Sequence, residues 1–507
     1  MAKRGDIVEI QDFGGGLVTF YPEYSMELNS SPDCQNIVLL EKGYQKRQGD
    51  DVWNSSAMVS GSTAVTGVGY MKLNSGSEFI TAVAGTSFFT DTSLNGTMTD
   101  VTGGITITSG QNNIWTPVTY NNLQIWFGGA NNAPFKYAGS ATALALGGTP
   151  PSAATAFVAN NRVFAISTTA NPSRIQWPIL GNPEDWTGSG SGSADVVTSD
   201  GEALQCGVVV GHDTAILFKN TSSHMMVLTR QPFPIYQLQK GVGVAGRNAY
   251  CLVNGVIYII TPGRRMKATS DGVNFVDFPD GIDDIFDSIP AARVPYIQGF
   301  YYENLRQVHW YVSTGASQAT NNTRIVWDLK KQCWLRDPTG FNCNVVGLIQ
   351  GRRLFGGHYD GKLYEKDKLG VYTDASVASP GAIDGYWRTP FKGLPSLAST
   401  IHPMWIDFSC LAETNTDMEI SYGFDFSPNA STQSLSIVPA GAQWDVDEWD
   451  VGFWGGQIAV IKRAFVSGRG NVFSVKFRNA TADQGYTLQG ASLQLRTDKS
   501  RKLLNVV

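Results

Sequence analysis

The segment Cys251-Leu-Val-Asn-Gly-Val-Ile-Tyr-Ile-Ile260 places an Asn-Gly turn between two apolar runs. An Asn-Gly pair in this setting is a strong short-range signal for a β-hairpin. The same arrangement recurs in Phe157-Val-Ala-Asn-Asn-Arg-Val-Phe-Ala-Ile166 and in Val346-Gly-Leu-Ile-Gln-Gly-Arg-Arg-Leu-Phe355. The chain therefore contains a repeated hairpin unit, and further copies surround Asn121-Asn122, Gly211-His212-Asp213, Glu303-Asn304 and, more weakly, Asn74-Ser75-Gly76.

The turns of these units fall near positions 75, 121, 160, 212, 254, 304 and 351. A spacing of roughly 40 to 50 residues is the period of a four-stranded propeller blade. One small antiparallel sheet cannot bury both of its faces, so neighbouring blades must stack around an axis, and this leaves only short edges exposed. We predict an all-β, propeller-like domain of six or seven blades over residues 51–380. Ordinary hairpins assembled into two sandwiches are the alternative.

The composition is typical of an all-β protein with more than one domain. The chain has 507 residues, which exceeds the size at which a single hydrophobic core usually stops growing. Hydrophobic residues make up 42% of it and charged residues only 16%, so core material is abundant and long charged helices are disfavoured. The 55 glycines suit tight turns between many short strands.

The charge of the chain disfavours a protein that grips nucleic acid. The formal net charge is -5 and the pI is near 5.6, so there is no general basic footprint for a phosphate backbone. A conduit through which a polyanion slides needs weak or repulsive walls instead. The charge therefore argues against a tight DNA binder and is compatible with a DNA channel.

Six cysteines and five histidines are scattered along the chain without a zinc-binding spacing. We expect buried, reduced thiols and neither a metal nor another cofactor. The N-terminus lacks the apolar run of a signal peptide, and no run approaches the roughly 18 apolar residues of a membrane-spanning helix. The sequence predicts a protein that is soluble at synthesis.

A change in composition near residue 380 predicts a domain boundary. The stretch Asp374–Gly381 is rich in small residues, lacks a strong period and ends in Pro-Gly. Alternating strands follow in Met418–Phe424, Phe473–Phe477 and Ala491–Arg496. We expect a separate C-terminal β-sandwich domain over residues 381–507.

Residues 1–50 precede the repeats, and we expect them to form an N-terminal assembly arm. They contain the turn Asp12-Phe-Gly-Gly-Gly-Leu-Val-Thr19 and the stretch Asn36-Ile-Val-Leu-Leu-Glu-Lys-Gly-Tyr-Gln-Lys-Arg-Gln-Gly49. The positive pair in this stretch could meet an acidic partner surface. Deletion of the arm should then leave unfolding of the monomer nearly unchanged. The candidate assembly residues are Phe13, Gly14, Gly15, Lys46 and Arg47.

This opening resembles that of short-tailed phage tail nozzle and packaged-DNA stabilisation proteins. Their opening has a Phe-x-Gly-Gly-Leu-like turn, an Asn-led strand and a Gly-x-x-Lys-Arg-x-Gly segment, and the present turn departs from it in having three glycines. The similarity continues in order along the chain at Arg174–Trp177, Gly181–Trp186, Leu217–Lys219, Gly241–Gly246, Val253–Tyr258, Ser270–Gly272, Trp444–Trp449 and Trp454–Gly456.

The resemblance implies a non-catalytic structural subunit of the virion, assembled in the host cytoplasm. It implies a homohexameric ring below the portal and adaptor proteins of the phage connector, with tail fibre or needle proteins as neighbours. Such a ring extends the head-to-tail channel, retains the packaged double-stranded DNA and then lets it pass without specific binding. The resemblance also implies that this chain does not insert into a membrane.

Some glycine motifs suggest chemistry but also have a structural explanation. Gly241-x-Gly243-x-x-Gly246 matches a dinucleotide-binding fingerprint, yet the residues after it predict a hairpin instead of the helix that a pyrophosphate site needs. Ser270-Asp271-Gly272 resembles the Asp-box turn of sialidase propellers, where the motif is itself structural.

Acidic and aromatic clusters have the same ambiguity. Three aspartates at helical spacing could form a carboxylate pair for glycoside hydrolysis or could begin a short helix. A second acidic cluster could bind calcium but lacks the glycine of a calcium loop, so a solvated turn is favoured. Aromatic residues in neighbouring strands could form a sugar platform, although cross-strand packing is favoured. These three groups are Asp283, Asp284 and Asp287; Asp445, Asp447, Glu448 and Asp450; and Phe300, Tyr301, Tyr302, Trp310 and Tyr311.

Two classes of function therefore remain open. One is a structural assembly subunit, and the other is a carbohydrate-active or carbohydrate-binding propeller. A glycosidase would turn over or bind glycans as a monomer, whereas a nozzle subunit would join a ring on the connector. A tail fibre or spike is disfavoured because the chain lacks a long repetitive shaft or a coiled-coil heptad.

Overall fold

The computed structural model describes residues 6–61, 63–129, 132–139, 141–349, 353–377, 381–393, 397, 399–412, 415–438 and 459–498. Within these ranges the regular structure is β, apart from one short α-helix, Asp283–Asp287, and the 3-10 segments Glu23–Ser25, Thr198–Asp200 and Ala291–Tyr296. The predicted all-β class is confirmed.

Seven antiparallel sheets of four strands follow one another along the described chain and form a propeller. In blades 1 to 6 the hydrogen-bonded order of the strands is their order in sequence. Blade 1 contains Val65–Lys72, Glu78–Ala84, Ser87–Asp91 and Thr99–Asp100; blade 2 contains Thr116–Tyr120, Leu123–Phe127, Phe135–Tyr137 and Leu144–Ala145; blade 3 contains Ala153–Ala159, Arg162–Thr168, Arg174–Trp177 and Gly192–Asp195. Blade 4 contains Cys206–Val210, Thr214–Phe218, Ser222–Val227 and Ile235–Lys240; blade 5 contains Tyr250–Val253, Val256–Ile260, Met266–Thr269 and Val276–Asp277; blade 6 contains Gln298–Tyr302, Gln307–Val312, Thr323–Asp328 and Cys333–Asp337.

Blade 7 closes the ring with a strand from an earlier part of the chain. Its first three strands are Cys343–Ile349, Arg353–His358 and Leu363–Lys366. Its outer strand is Asp51–Val52, which pairs with the third strand through Tyr364↔Val52 and Glu365↔Asp51. The ring is therefore held shut by hydrogen bonds between distant parts of the sequence.

The predicted turns are the hairpins between the first and second strands of the blades. The Asn-Gly turn of blade 5 has positive φ at both residues, 48° at Asn254 and 83° at Gly255, which suits the right-handed twist of a two-residue hairpin. Six of the seven turns lie in the described residues. The seventh falls at residues 350–352, outside them, but the strands on either side pair through Ile349↔Arg353. The prediction of six or seven blades resolves to seven.

The first strand of each blade lies nearest the propeller axis. First strands of neighbouring blades contact one another, as those of blades 7 and 1 and of blades 5 and 6 do. The fourth strand is the outer edge of its sheet. Side chains on the first strands therefore surround the axis.

The remaining strands form a β-sandwich of two sheets. The six-stranded sheet contains, in hydrogen-bonded order, Val460–Phe465, Thr400–Ala412, Tyr486–Asp498, Tyr44–Lys46 and Ile37–Leu39, and Asp6–Ile10 also pairs with Tyr486–Asp498. The five-stranded sheet contains Ser427–Ile437, Thr416–Phe424, Phe473–Asn479, Gly385–Arg388 and Asp33–Gln35. A short parallel pair, Gly16–Leu17 with Ser30–Ser31, lies outside both sheets.

Residues 6–46 supply four strands of this sandwich in place of the separate arm that we expected over residues 1–50. The strand Asp6–Ile10 pairs along its whole length with residues 491–495. Asp33–Gln35 pairs with Gly385–Arg388 in the other sheet. These short strands cannot bury their apolar faces alone, so they complete sheets built mainly from the C-terminal part of the chain.

The sandwich packs on the outer edge of blade 6. The strand Cys333–Asp337 contacts both Gly16–Leu17 and Asp33–Gln35. One hydrophobic core runs from the sandwich into blades 4 to 6, and Trp334 and Trp387 are both buried in it. The propeller and the sandwich therefore share their packing.

Candidate functional site

A cavity of about 530 Å³ lies on the propeller axis. The walls come from the first strands of blades 1, 2, 5, 6 and 7 and from residues directly before them. None of the described residues that line it carries a formal charge. The lining residues are Val68, Gly69, Tyr70, Trp115, Thr116, Pro117, Asn248, Tyr250, Cys251, Leu252, Gln298, Gly299, Phe300, Tyr301, Val345, Val346, Gly347 and Leu348.

One end of the axis is covered by the loop that precedes blade 2. Gln111 Nε2 donates to the carbonyl oxygen of Ala319 in blade 6 at 3.3 Å. The Gln111 carbonyl accepts from Asn344 Nδ2 of blade 7 at 2.9 Å. Asn112 Oδ1 accepts from Arg293 Nη1 at 3.0 Å. The loop is therefore fixed to the opposite side of the ring.

Arg247 closes the same end. It lies just before blade 5, and its Nη1 donates to the carbonyl oxygen of Ile114 at 3.2 Å and to that of Ala154 at 2.9 Å. These carbonyls belong to blades 2 and 3, so the side chain reaches across the axis. Burial lowers the pKa of the Arg247 guanidinium. The axial cavity is blind at this end, and a DNA duplex cannot pass through the propeller.

The predicted Gly-rich turn is part of the packed interior. Phe13 is 1% exposed, and its ring meets those of Tyr44 and Trp387 edge-on with centroids 5.1 and 5.3 Å apart. A Cβ at Gly15 would lie 2.3 Å from Ser30 Oγ, so no larger residue fits there without movement. The Gly14 N–H donates to Asp12 Oδ1 at 2.9 Å. The turn positions an aromatic anchor of the sandwich core.

Lys46 is fully buried in the sandwich. Its Nζ donates to Asn479 Oδ1 at 2.7 Å and to the carbonyl oxygen of Thr481 at 3.0 Å. Burial and the neighbouring Arg47 charge lower its pKa to about 7. The expected exposed positive pair at Lys46-Arg47 is wrong, because both side chains find partners inside the chain.

Arg47 joins the N-terminal residues to the segment after blade 7. It is 1% exposed; Nη1 donates to Asp374 Oδ1 at 2.8 Å, and Nε donates to Asn36 Oδ1 at 2.9 Å. Its guanidinium also lies over the Phe341 ring, 4.7 Å from the centroid. A buried cation of this kind is stable only when it is paired and hydrogen-bonded, and both conditions are met.

The Arg47 site belongs to a larger ionic network between blades 6 and 7 and the sandwich. Arg324 Nε donates to Asp337 Oδ2 at 2.8 Å, and Arg324 also pairs with Asp367. Burial opposes the Arg324 charge, but these aspartates outweigh it and hold the pKa of Arg324 well above its usual range. Ion pairs link Arg47 and Arg324 with Asp337, Asp367 and Asp374, all with buried side chains. The buried pair Lys366–Asp50 lies beside this network, because Lys366, like both arginines, approaches the Phe341 ring.

Sequence reasoning found Arg47 but missed its partners. Asp374 is 327 positions away from it in the chain. No local spacing connects the two, and pairs this remote are visible only in the folded topology. Asp50 similarly holds Lys366, and this pair lies beside the strand that closes blade 7.

The short motifs have structural roles. The Asp271 carboxylate accepts the backbone N–H groups of Val273 and Asn274, both at 2.8 Å, and these hydrogen bonds lower its pKa to about 2. The motif is a turn between the last two strands of blade 5. Gly241–Gly246 leads to the strand Tyr250–Val253 and not to a helix, as predicted from the hairpin that follows it.

Asp283, Asp284 and Asp287 lie in the short helix Asp283–Asp287. A short helix was one of the two interpretations of their spacing. Arg265 lies 3.4 Å from Asp283 and 3.0 Å from Asp287, so one guanidinium pairs with both carboxylates. Asp284 accepts a hydrogen bond from Thr19. The cluster Asp445 to Asp450 lies outside the described residues.

The aromatic group in blade 6 packs between its strands. Phe300 pairs with His309, and Gly299 pairs with Trp310. Trp310 and Tyr311 are fully buried and so cannot act as an exposed platform. Packing within the blade therefore accounts for Trp310 and Tyr311, whereas Phe300 and Tyr301 line the axial cavity.

The cysteines are free and buried, as expected. Burial raises the pKa of the Cys343 thiol to about 12, which makes it a poor nucleophile. Among the described residues, no cluster of His, Cys, Asp or Glu is arranged to hold a metal ion. No helix in the described part of the chain is long and apolar enough to span a membrane.

No protein-family model and no curated protein sequence matches the chain. Among solved structures, it is similar to YCF48 from Cyanidioschyzon merolae, with a TM-score of 0.41 and 9% identity over 62% of this chain and 98% of that one. It is also similar to YCF48 bound to D1 peptide, with a TM-score of 0.42 and 10% identity over 65% of this chain and 97% of that one. The similarity to the WD40 β-propeller domain of Doa1 has a TM-score of 0.40 and 9% identity over 62% of this chain and 96% of that one.

Proposed function

We propose that the chain is a structural subunit of a short-tailed phage tail nozzle. Copies of it form a homo-oligomeric ring, expected to be hexameric, below the portal and adaptor. The ring forms part of the head-to-tail channel that retains and then conducts genomic DNA. The observation that carries this proposal is that the N-terminal motifs resembling that protein group are the ones that join propeller and sandwich.

Close packing requires glycine at both ends of the Gly-x-x-Lys-Arg-x-Gly segment. Gly43 has a φ of 83°, and a Cβ there would lie 2.0 Å from the carbonyl oxygen of Leu488. A Cβ at Gly49 would lie 1.9 Å from the carbonyl oxygen of Thr373. Between these glycines, the Lys46 and Arg47 charges enter the interior. The residues that carry the resemblance therefore have a defined structural task in this chain, which supports the proposal.

The shared packing of the two domains suits a wall subunit. Interfaces between domains in one chain are often small and permit relative motion. Here one hydrophobic core continues from blades 4 to 6 into the sandwich, and the buried ionic network adds a second connection. A subunit built in this way keeps its shape when DNA moves past it.

The blind axis determines where DNA would run in this proposal. Arg247 and the loop at Gln111 close the propeller axis, so the duplex passes through the central opening between copies of the chain. The net charge of -5 per chain suits a channel with weak contacts to phosphate.

The test is to image purified virions by cryo-electron microscopy and to fit this two-domain shape to the tail. We expect a ring of copies directly below the connector, and mass photometry of chain co-expressed with portal and adaptor should show the same copy number. Absence of the chain from virions would overturn the proposal. Saturable glycan turnover, lost in Asp283→Asn or Asp287→Asn, would favour the carbohydrate-active alternative.

A further inference from the structure

The fourth strand of blade 4 is a long sheet edge without a neighbour. This blade 4 edge strand, Ile235–Lys240, pairs with Ser222–Val227 and with no other strand of the described chain. The fourth strands of blades 1, 2, 5 and 7 have only two residues, that of blade 3 has four, and that of blade 6 is covered by the sandwich. Proteins usually keep exposed edges short or covered, because unpaired backbone groups attract a further strand. Blade 4 departs from this rule.

The outward side of the blade 4 edge strand carries free backbone donors. Val227 N–H donates to the carbonyl oxygen of Pro234 at 3.0 Å, and this bond fixes which residues of the strand bond into the blade. In an antiparallel ladder these residues alternate with residues whose N–H groups point away. The N–H groups of Ile235 and Gln237 therefore point outward. Tyr236, between them, is 49% exposed, so a further strand would also meet an aromatic side chain.

This edge lies in a part of the sequence that contains no acidic residue. Residues 214–270 include seven lysines and arginines but no Asp or Glu, although the whole chain has a net charge of -5. Arg230 and Lys240 are exposed, and neither has an ion partner among the residues that the structure describes. The charge of the edge therefore favours an acidic strand as its partner.

The sandwich has an open edge of the opposite charge. This sandwich edge strand, Asp6–Ile10, pairs on one side with Tyr486–Asp498 and on its other side with no described strand. It contains two acidic residues and no basic one, and Ile7 is 64% exposed. The other long edges of the sandwich, Val460–Phe465 and Ser427–Ile437, contact each other. Away from the propeller axis, the described part of the chain thus leaves two long edges uncovered, and their charges are complementary.

We propose that the blade 4 edge strand of one copy pairs antiparallel with the sandwich edge strand of the next copy. This inference rests on the proposed ring, in which each copy meets its two neighbours through two different surfaces. The pairing supplies partners to the outward backbone groups of both strands and brings their opposite charges together. It also covers the exposed Ile7 and Tyr236 side chains. One continuous sheet then joins the propeller of each copy to the sandwich of its neighbour.

Gln237→Pro tests the backbone pairing. Proline removes an N–H that points away from blade 4 and leaves the ladder inside the blade intact, so the urea unfolding midpoint should not change. Gln237→Ala keeps this N–H and is the matched control. With full chain co-expressed with portal and adaptor, mass photometry should show about tenfold fewer complete rings for the proline variant and no change for the alanine variant. Equal ring formation by Gln237→Pro would overturn the inference and leave the nozzle function standing.

An exchange of charges between the two edges identifies them as partners. Lys240→Glu and Glu9→Lys each place like charges across the interface, so each should reduce ring formation severalfold. The double variant restores opposite charges and should recover most of the rings. Lys72→Glu, at a cation that is 60% exposed in blade 1, is the control and should have no effect. A double variant no better than the single variants would overturn the pairing of these edges.

Sedimentation velocity of the purified chain separates this inference from the nozzle function. At about 100 μM we expect self-association of the unmodified chain that is lost in Gln237→Pro. Self-association through these edges without a ring on the connector would support the pairing and count against the nozzle function. A chain that stays monomeric and also forms no ring with portal and adaptor would overturn both.

Discussion

Replacing Arg47 with Met tests whether the ionic network holds propeller and sandwich together. The substitution keeps an unbranched side chain of similar length but removes the charge and five hydrogen-bond donors. Asp374, only 2% exposed, loses both of its hydrogen bonds to the guanidinium, and Asn36 Oδ1 loses its donor.

The expected cost follows from the burial of these groups. Removing one partner of a buried ion pair destabilises a protein by about 3–5 kcal/mol, since the other charge stays buried without compensation. A loss of this size raises the equilibrium constant for unfolding by roughly two to three and a half orders of magnitude, at about 1.4 kcal/mol for each factor of ten. The double variant Arg47→Met/Asp374→Asn should recover part of the loss because it removes both charges.

Urea unfolding followed by tryptophan fluorescence measures this effect, with Arg463→Met as the matched control. Arg463 makes the same two-pronged contact, with Asp407 at 2.7 and 2.8 Å, but is 49% exposed. An exposed pair of this kind contributes little to stability, because water and salt screen it. Equal destabilisation by the two variants would refute the view that the buried network joins the domains.

Burial lowers the pKa of Lys46 from its usual 10.5 to about 7 in the folded chain. Between these two pH values, Lys46 carries a proton in the unfolded chain but not in the folded chain. Stability should therefore rise with pH across this window, by up to about 1.4 kcal/mol per pH unit, and a Lys46→Met variant should lose that slope in urea titrations. Deleting residues 1–50 removes four sandwich strands and Arg47, so size-exclusion chromatography should show aggregated or unfolded chain, opposite to the outcome expected for a separate arm. Phe13→Ala should lower the free energy of unfolding by about 3–5 kcal/mol, measured in the same urea assay. Isolated chain should bind duplex DNA more weakly than the roughly 10⁻⁴–10⁻⁶ M of non-specific binders in a fluorescence anisotropy titration at physiological salt, and submicromolar binding would contradict the low-friction channel.

The propeller could be predicted because its signals are local. Asn160 and Asn254 stand where a two-residue hairpin needs positive φ, and the apolar runs beside them fix the strands. The closing strand Asp51–Val52 could not be found in this way. Two residues carry no periodicity, and their partners, Glu365 and Tyr364, lie in a distant part of the chain.

The candidate site was harder to predict because charged residues usually lie at the surface. Lys46 and Arg47 were therefore interpreted as an exposed pair. Their burial depends on Asn479 and Asp374, which only the folded topology brings near. The axial cavity has no sequence signature either, because its lining comes from strands that lie far apart in the sequence.

The pairing of Asp6–Ile10 with Tyr486–Asp498 has a consequence for biosynthesis. Contacts between the two ends of a long sequence are the slowest to form, because a large loop must close before any pairing stabilises it. As the ribosome releases the chain from its N-terminus, the strand Asp6–Ile10 waits without its partner until residues 491–495 have emerged. Unpaired strands of this kind are prone to aggregate. A chain interrupted before Tyr486 cannot complete the six-stranded sheet, so the finished sandwich forms only after residues 486–498 have been translated.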